Sequence, residues 1–302
     1  MDLTILGCHS ATPRNDSHTT SQLLEIKNHL FLIDCGEGTQ MQLRKARVKF
    51  FRIQHIFISH LHGDHFYGLI GLISTFRLLG RENDLHVYGP TGIKELITLQ
   101  LKYANSWTNY KLFFHELSAQ VSECVFEDEN VRVTTLPLDH RVYTNGFLFE
   151  EKPGPRRINK SAIAGLELPV AALKGLKKGQ DYVTEAGEVI PNHQLTLDPI
   201  KPKRYAFCSD TAYYEPLVPF IEGVDILYHE ATFLAQHEAL AAKTKHSTAQ
   251  QAASIAQQAK VETLILGHFS TRYNNDQLFQ KEAQPIFENT LIAEAGKTYH
   301  FR

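Results

Sequence analysis

Three histidines and one aspartate occupy six consecutive positions, His60-Leu61-His62-Gly63-Asp64-His65, directly after the apolar run Ile56-Phe57-Ile58. Burying that many polar groups without partners is costly, so the cluster sets a condition on the whole fold. The apolar run must be a strand that ends at an accessible rim, with the cluster on the turn beyond it. Gly63 lets the backbone bend sharply there, and side chains one and two residues apart then gather around one point. Imidazole nitrogens and a carboxylate so arranged suit Zn2+ or a similar divalent ion.

The rest of the chain repeats the device. Short runs rich in branched and aromatic residues, closed by Gly, Asn or Asp, read as strands in "LTILG", "SQLLEI", "HLFLIDCG" and "DLHVYG" of the first half. The second half adds "VRVTTLPLDH", "GFLFEE", "RYAFCSD", "DILYHEAT" and "VETLILGH". Apolar residues at helical spacing mark "YGLIGLISTFRLLG", "TGIKELITLQLKYA" and "STAQQAASIAQQAK" as helices, the last capped by Ser247 or Thr248. Several strands end on a polar side chain: His140 in "PLDH", Asp210 in "CSDT" and His268 in "LGHFS". Asp210 has two oxygens with which to bridge two ions, the arrangement a two-metal hydrolytic site needs. His86, His115, His193 and His300 stand alone along the chain and read as surface or hydrogen-bonded core residues.

Charge is distributed unevenly. The net charge of −2 argues against a uniformly basic coat, yet residues 152 to 178 carry seven Lys or Arg against one acid, Glu167. Pro153, Gly154, Pro155, Gly165, Pro169 and Gly175 interrupt this stretch, so it reads as a basic arm inserted in a single domain spanning residues 1–302. Clustered cations on such an arm neutralise phosphates and release counterions, which suits a polyanion. The four cysteines, Cys8, Cys35, Cys124 and Cys208, are far apart with no C-x-x-C pair, as expected of free thiols in a reducing, cytoplasmic setting. No apolar run reaches the ~18 residues of a membrane span, so no membrane partner is expected.

"SHLHGDH" resembles the signature of the metallo-β-lactamase superfamily. With "PLDH", "CSDT", "HEATF", "KHSTAQQAA" and "GHFSTRY" the chain resembles the short-form ribonuclease Z family, the tRNA 3′-processing endoribonucleases, from "LGCHSATP" almost to its end. The resemblance implies an α+β fold, a four-layer αβ/βα sandwich with a projecting arm. It implies two Zn2+ per subunit, with Mn2+ an alternative the same donors accept. One ion would be held by His60, His62 and His140, the other by Asp64, His65 and His268, with Asp210 bridging. Asp64 is further implied as proton acceptor for the attacking water, and His246 as proton donor to the leaving 3′-oxygen with Glu230 as its partner.

The implied reaction removes the 3′ trailer from precursor tRNA and leaves a 3′-hydroxyl, in a homodimer whose arms grip the tRNA. Arg156, Arg157, Lys160, Lys174, Lys177 and Lys178 of the arm, and Arg272 in "GHFSTRY", are the candidate substrate contacts. His246 stands just before a helix, where the peptide dipole opposes protonation and favours a bound phosphate. Asp34 in "IDCGEGTQ" reads as structural, and Gly36 and Gly38 there suit a tight turn. In one loop the chain departs from the family: Pro13 is followed directly by Arg14-Asn15 where many members carry P-x-K-x-R-N, a loop implicated in handling the CCA end. The main rival is a small-molecule phosphodiesterase or arylsulfatase of the same superfamily, which would have no use for a basic arm.

Overall fold

The structure, a computed structural model, describes residues 1–12 and 17–301. Pro13, Arg14 and Asn15 of the departing loop lie outside the described residues. Two seven-stranded sheets form the centre. The first contains β1 (Asp2–Gly7), β2 (Ser21–Ile26), β3 (His29–Ile33), β4 (Ile53–Phe57), β5 (Leu85–Pro90), β6 (Leu112–Leu117) and β18 (Thr298–His300), ordered β18-β1-β2-β3-β4-β5-β6. The second contains β7 (Cys124–Glu127), β8 (Val131–Pro137), β9 (Asn145–Glu151), β14 (Arg204–Cys208), β15 (Ile226–Glu230), β16 (Thr263–Gly267) and β17 (Thr290–Ile292), ordered β17-β16-β15-β14-β9-β8-β7.

The sheets face each other through aromatic side chains: Phe57 meets Phe147 with ring centroids 5.2 Å apart, and Phe31 meets Phe149 at 5.4 Å. All four rings are fully buried, so truncating one to alanine would cost ~3–5 kcal/mol. Outside the first sheet lie α1 (Thr39–Lys45), α2 (Gly63–Leu78) and α3 (Ile93–Tyr103), whose Leu43, Leu69, Phe76 and Ile97 pack with Leu32, Ile56 and Val87 of the strands. Outside the second lie α7 (Ala249–Gln258) and α8 (Gln277–Ala283), while the short α6 (Glu238–Thr244) leads into α7. These are the four layers of the expected sandwich.

Direction explains where the site forms. β3, β4 and β5 run parallel, as do β14, β15 and β16, and β8 runs with β14 because β9 is antiparallel to both. The C-terminal ends of β3, β4, β8, β14, β15 and β16 therefore collect polar residues along one cleft. Parallel strands covered on both faces also account for runs as apolar as Leu264-Ile265-Leu266.

Local signals were kept or altered for identifiable reasons. Thr248 caps α7 in a reciprocal box with Gln251 (3.2 and 2.9 Å), while the Ser247 hydroxyl donates to the Thr211 carbonyl instead. Gly63 does not make the bend expected of it. It opens α2, and a Cβ there would come within 2.2 Å of the Tyr67 ring. Gly38 turns the chain at φ 80°, whereas Gly36 answers a close approach, since a Cβ would lie 2.3 Å from the Asp64 carbonyl. His86 and His115 do not stand alone in space: they hydrogen-bond across β5 and β6 at 3.0 Å.

Between β9 and β14 the chain leaves the sandwich for residues 152 to 203. This insertion holds β10 (Arg157–Ile158), α4 (Val170–Lys177), β11 (Tyr182–Val183), β12 (Val189–Ile190), α5 (Asn192–Leu195) and β13 (Thr196–Leu197), with β10 paired to β13 and β11 to β12. Leu176 and Leu195 are buried within it but outside both main apolar clusters, and the Asn192 amide donates to the Leu176 and Gln180 carbonyls at 2.8 Å each. The basic stretch 152–178 is thus the first half of a longer folded unit.

Candidate metal centre

Two sets of donor atoms meet at the cleft, and a third grouping, Asp210, Glu230, His246 and His268, overlaps them. In the first, His62 Nδ1 lies 2.9 Å from His60 Nε2 and 3.4 Å from His140 Nε2, and Asp210 Oδ2 lies 3.7 and 3.8 Å from those two Nε2 atoms. In the second, His65 Nε2 and His268 Nε2 are 3.3 Å apart, Asp64 Oδ2 is 3.4 Å from each, and Asp210 Oδ1 lies 3.3 and 3.1 Å from them. Tetrahedral ligands ~2.0–2.1 Å from a zinc ion are separated by about 3.3–3.4 Å, so the second set has the edge lengths such an ion requires and the first is slightly less regular. Asp210 turns one oxygen to each set. These His/Asp clusters fit divalent metals in donor chemistry and in spacing.

The imidazoles are held in the tautomer that metal binding needs. Nitrogens bonded to oxygens outside the cluster leave the other ring nitrogen facing inward. His65 Nδ1 donates to Asp34 Oδ2 at 2.7 Å. The Ser59 hydroxyl gives its one proton to Asp34 (2.9 Å), so it can only accept from His60 Nδ1 at 3.1 Å. His140 Nδ1 donates to the Lys245 carbonyl at 2.8 Å. Thr232 gives its hydroxyl proton to Glu230 (2.6 Å) and accepts from His268 Nδ1 (2.8 Å).

Asp34 and His268 adopt left-handed backbone conformations, φ 54° and 60°, that non-glycine residues hold only where the surroundings enforce them. Burial lowers His60 and His140 below the ordinary imidazole range. Burial opposes charge on Asp210, but His268, His65 and His60 outweigh it and hold the carboxyl well below the usual range.

Beside the second set, His246 Nδ1 lies 2.7 Å from Glu230 Oε1. Glu230 is fully buried and also accepts from the Thr211 and Ser247 amides at 2.8 and 3.1 Å. Burial alone would lower His246, but the Glu230 carboxylate overcomes it and pushes the ring up to about 9. The helix dipole expected to oppose protonation is outweighed: the helix starts only at Ala249, and a carboxylate in direct contact is the stronger field.

The cleft has a volume of about 340 Å3 and is lined by His62, Asp64, Asp210, His246 and Arg272, and by Arg141. Arg272 has no carboxylate within 4 Å among the described residues. A larger cavity of about 820 Å3 elsewhere, lined by Arg44, Arg47 and Phe50, contains none of these donor groups. Of the arm residues, Arg156 is bound to Asp198 at 2.7 Å and Arg157 donates to the Asp198 carbonyl at 3.0 Å. Lys160, Lys174, Lys177 and Lys178 are exposed, away from the donor clusters. Sequence reasoning missed Ser59, Thr232 and Lys245, and read Asp34 as structural although it orients His65. The sharp left-handed turn at Asp34 leaves no mark in residue spacing, and a carbonyl such as that of Lys245 leaves none in residue type.

Comparison with known proteins agrees with this geometry. A family model described as anti-Pycsar protein Apyc1 matches residues 1–152, ending at the first residue of the basic stretch and before His246. A protein named ribonuclease Z from Bacteroides thetaiotaomicron is 49% identical over 292 residues, 97% of this chain and 92% of that one. A ribonuclease Z from Porphyromonas gingivalis is 46% identical over 289 residues, 96% of this chain and 95% of its own. The solved structure of human tRNase Z, short form, superposes with a TM-score of 0.74 at 26% identity, covering 100% of both chains. The metallo-β-lactamase fold protein YhfI of Bacillus subtilis shares the fold, with a TM-score of 0.68 at 19% identity over 99% of this chain and 98% of that one. With near-half identity along almost its entire length, and with two donor clusters on a metallo-β-lactamase sandwich, this chain belongs to the ribonuclease Z family of endoribonucleases.

Proposed function

We propose that the chain removes the 3′ trailer from precursor tRNA with two zinc ions, to each of which Asp210 would offer one oxygen. The observation that carries this reading is the pairing of the two donor sets with a buried Glu230 and its His246 partner on the same cleft. His60, His62 and His140 would hold one ion and Asp64, His65 and His268 the other, and Mn2+ would satisfy the same donors. Bound there, such ions lower the pKa of water and neutralise charge on the phosphoryl oxygens.

The chain's own groups do the proton work. The second Asp64 oxygen takes the proton of the attacking water. His246 is held protonated by Glu230 through Nδ1, which leaves Nε2–H free to protonate the departing 3′-oxygen. Arg272 faces the cleft and binds phosphate.

We further read residues 1–302 as one domain with residues 152–178 as its basic arm, in which Arg156, Arg157, Lys160, Lys174, Lys177 and Lys178 engage the tRNA backbone. Asp198 engages Arg156 and Arg157 in the free protein and would have to be displaced, so the exposed lysines are the readier contacts. A homodimer is read from the family resemblance, and α2 and α3 expose the apolar side chains Tyr67, Leu78, Leu96, Leu99 and Tyr103 that such a contact could use. No helix among the described residues is long and apolar enough to cross a membrane, and a cytoplasmic setting matches the substrate.

The test is to incubate the zinc-loaded protein with a precursor tRNA and map the products to the nucleotide. A 3′-hydroxyl on the tRNA and a 5′-phosphate on the trailer are expected. Hydrolysis of small diesters with no cut in the precursor would favour the small-molecule phosphodiesterase instead.

A further inference from the structure

Arg141 follows His140 directly but was not among the residues the sequence singled out. Its side chain is exposed and lines the cleft together with His62 and His246. Its charge reaches both rings, disfavouring protonation of each. The acid nearest to it in sequence is already engaged, because Asp139 pairs with Lys245 Nζ at 2.8 Å. No carboxylate lies within 4 Å of the Arg141 guanidinium among the described residues. A cation left uncompensated at the mouth of a reaction cleft is a poor stabiliser of the fold and a ready partner for an anion.

Which anion follows from direction. If His246 protonates the departing 3′-oxygen, its side of the cleft faces the last nucleotide kept by the tRNA. The next negative group on that side is the phosphate joining the last two retained nucleotides. We propose that Arg141 is a positioning residue whose guanidinium binds this phosphate, one linkage to the 5′ side of the scissile bond. A guanidinium can grip two phosphate oxygens at once, fixing the orientation of the terminal nucleotide as well as holding it. The site therefore reads the strand through two flanking arginines, Arg272 and Arg141, and not through the metal donors alone. This assignment rests on the reading of the cleft as a tRNA 3′-endonuclease.

The experiment uses full-length, zinc-loaded protein and two precursors, one unmodified and one with a single uncharged methylphosphonate at the proposed linkage. Single-turnover kcat/KM is measured for the unaltered protein, Arg141→Ala and Arg141→Lys. Removing either partner of a charged hydrogen bond should cost on the order of tenfold. Arg141→Ala on the modified precursor should then fall no more than about twofold below either single change, because one interaction cannot be removed twice. Moving the methylphosphonate one linkage further from the cut should restore the full Arg141→Ala penalty, and Arg141→Lys, which keeps the charge but loses the two-oxygen grip, should recover only part of the rate on the native precursor. Penalties that multiply, or Arg141→Ala within twofold of the unaltered protein on native precursor, would overturn the assignment. Absence of cutting by the unaltered protein would instead overturn the reading of the cleft on which it rests.

Discussion

His246 Nδ1 and Glu230 Oε1 lie 2.7 Å apart, with the carboxylate fully buried and the imidazole at the edge of the cleft. The contact holds the ring protonated up to about pH 9, so a proton donor there works below that pH and fails above it. In a kcat–pH profile on precursor tRNA the descending limb should fall near pH 9. Glu230→Gln removes the charge but keeps the shape, and the limb should move down by one unit or more. The sign for stability is the same: the folded protein holds the proton more tightly than the unfolded chain, whose imidazole titrates near ~6.5. The stabilisation is complete below about 6.5 and is lost as pH rises toward 9. An unmoved limb in Glu230→Gln would remove His246 from the proton-donor role.

Asp210 offers one oxygen to each donor set, whereas Asp64 serves only the second. Asp210→Asn should weaken both ions and Asp64→Ala chiefly one, so plasma emission spectrometry should find less zinc in the first variant than in the second. Both should lose cleavage by at least ~10³-fold, as when a metal-held nucleophile is lost. For Asp64→Ala, at the rim of the core, circular dichroism should report a retained fold. Equal zinc contents in the two variants would count against the bridge.

Thr232 links the two halves of the site by donating to Glu230 and accepting from His268. Thr232→Val keeps the volume and removes the hydroxyl, freeing His268 Nδ1 and taking one of the donors from Glu230 Oε2, which the Ser247 and Thr232 amides still serve. Loss of an outer hydrogen bond of this kind lowers metal affinity by roughly 10–100-fold, measured here by chelator competition. Thr232→Ser, which retains the hydroxyl, should bind zinc nearly as the unaltered protein does.

Much of this was legible in advance for a physical reason. Polar side chains at the ends of apolar runs, such as His268 after Leu264-Ile265-Leu266, are visible because a strand's end is marked by the change of residue type. Less visible was what lies across space. The pairing of His246 with Glu230, named only through the family resemblance, joins a loop residue to the last residue of β15 sixteen positions earlier, and the helix dipole, which the sequence does announce, is the weaker of the two fields. The extent of the insertion between β9 and β14 was hidden by composition, because Asp181, Glu185, Glu188 and Asp198 dilute the basic run that marks its start.

The insertion that begins with the basic stretch leaves from β9 and returns to β14, which are adjacent antiparallel partners with Glu150 opposite Arg204. Residues 152–200 can therefore be replaced by a short hairpin turn without breaking the sheet or removing Lys201 and Lys203 from buried Asp225. The shortened protein should keep its melting temperature within a few degrees and still hydrolyse bis(p-nitrophenyl) phosphate. Its affinity for precursor tRNA should fall, and its log K against log salt slope should flatten by about 0.7–0.9 for each phosphate that the arm had neutralised. An unchanged slope would make the arm an ordinary surface insertion.

The donor residues are spread from His60 to His268, with both sheets contributing. A chain still being synthesised holds His60, His62, Asp64 and His65 long before β14, β15 and β16 exist to supply Asp210, Glu230 and His268. On the mechanism proposed above, the first motif alone would have neither a bridging carboxylate nor a proton donor. Completion of the sandwich would then also be the moment of activation, with the chemistry divided until that point between two layers that have not yet met.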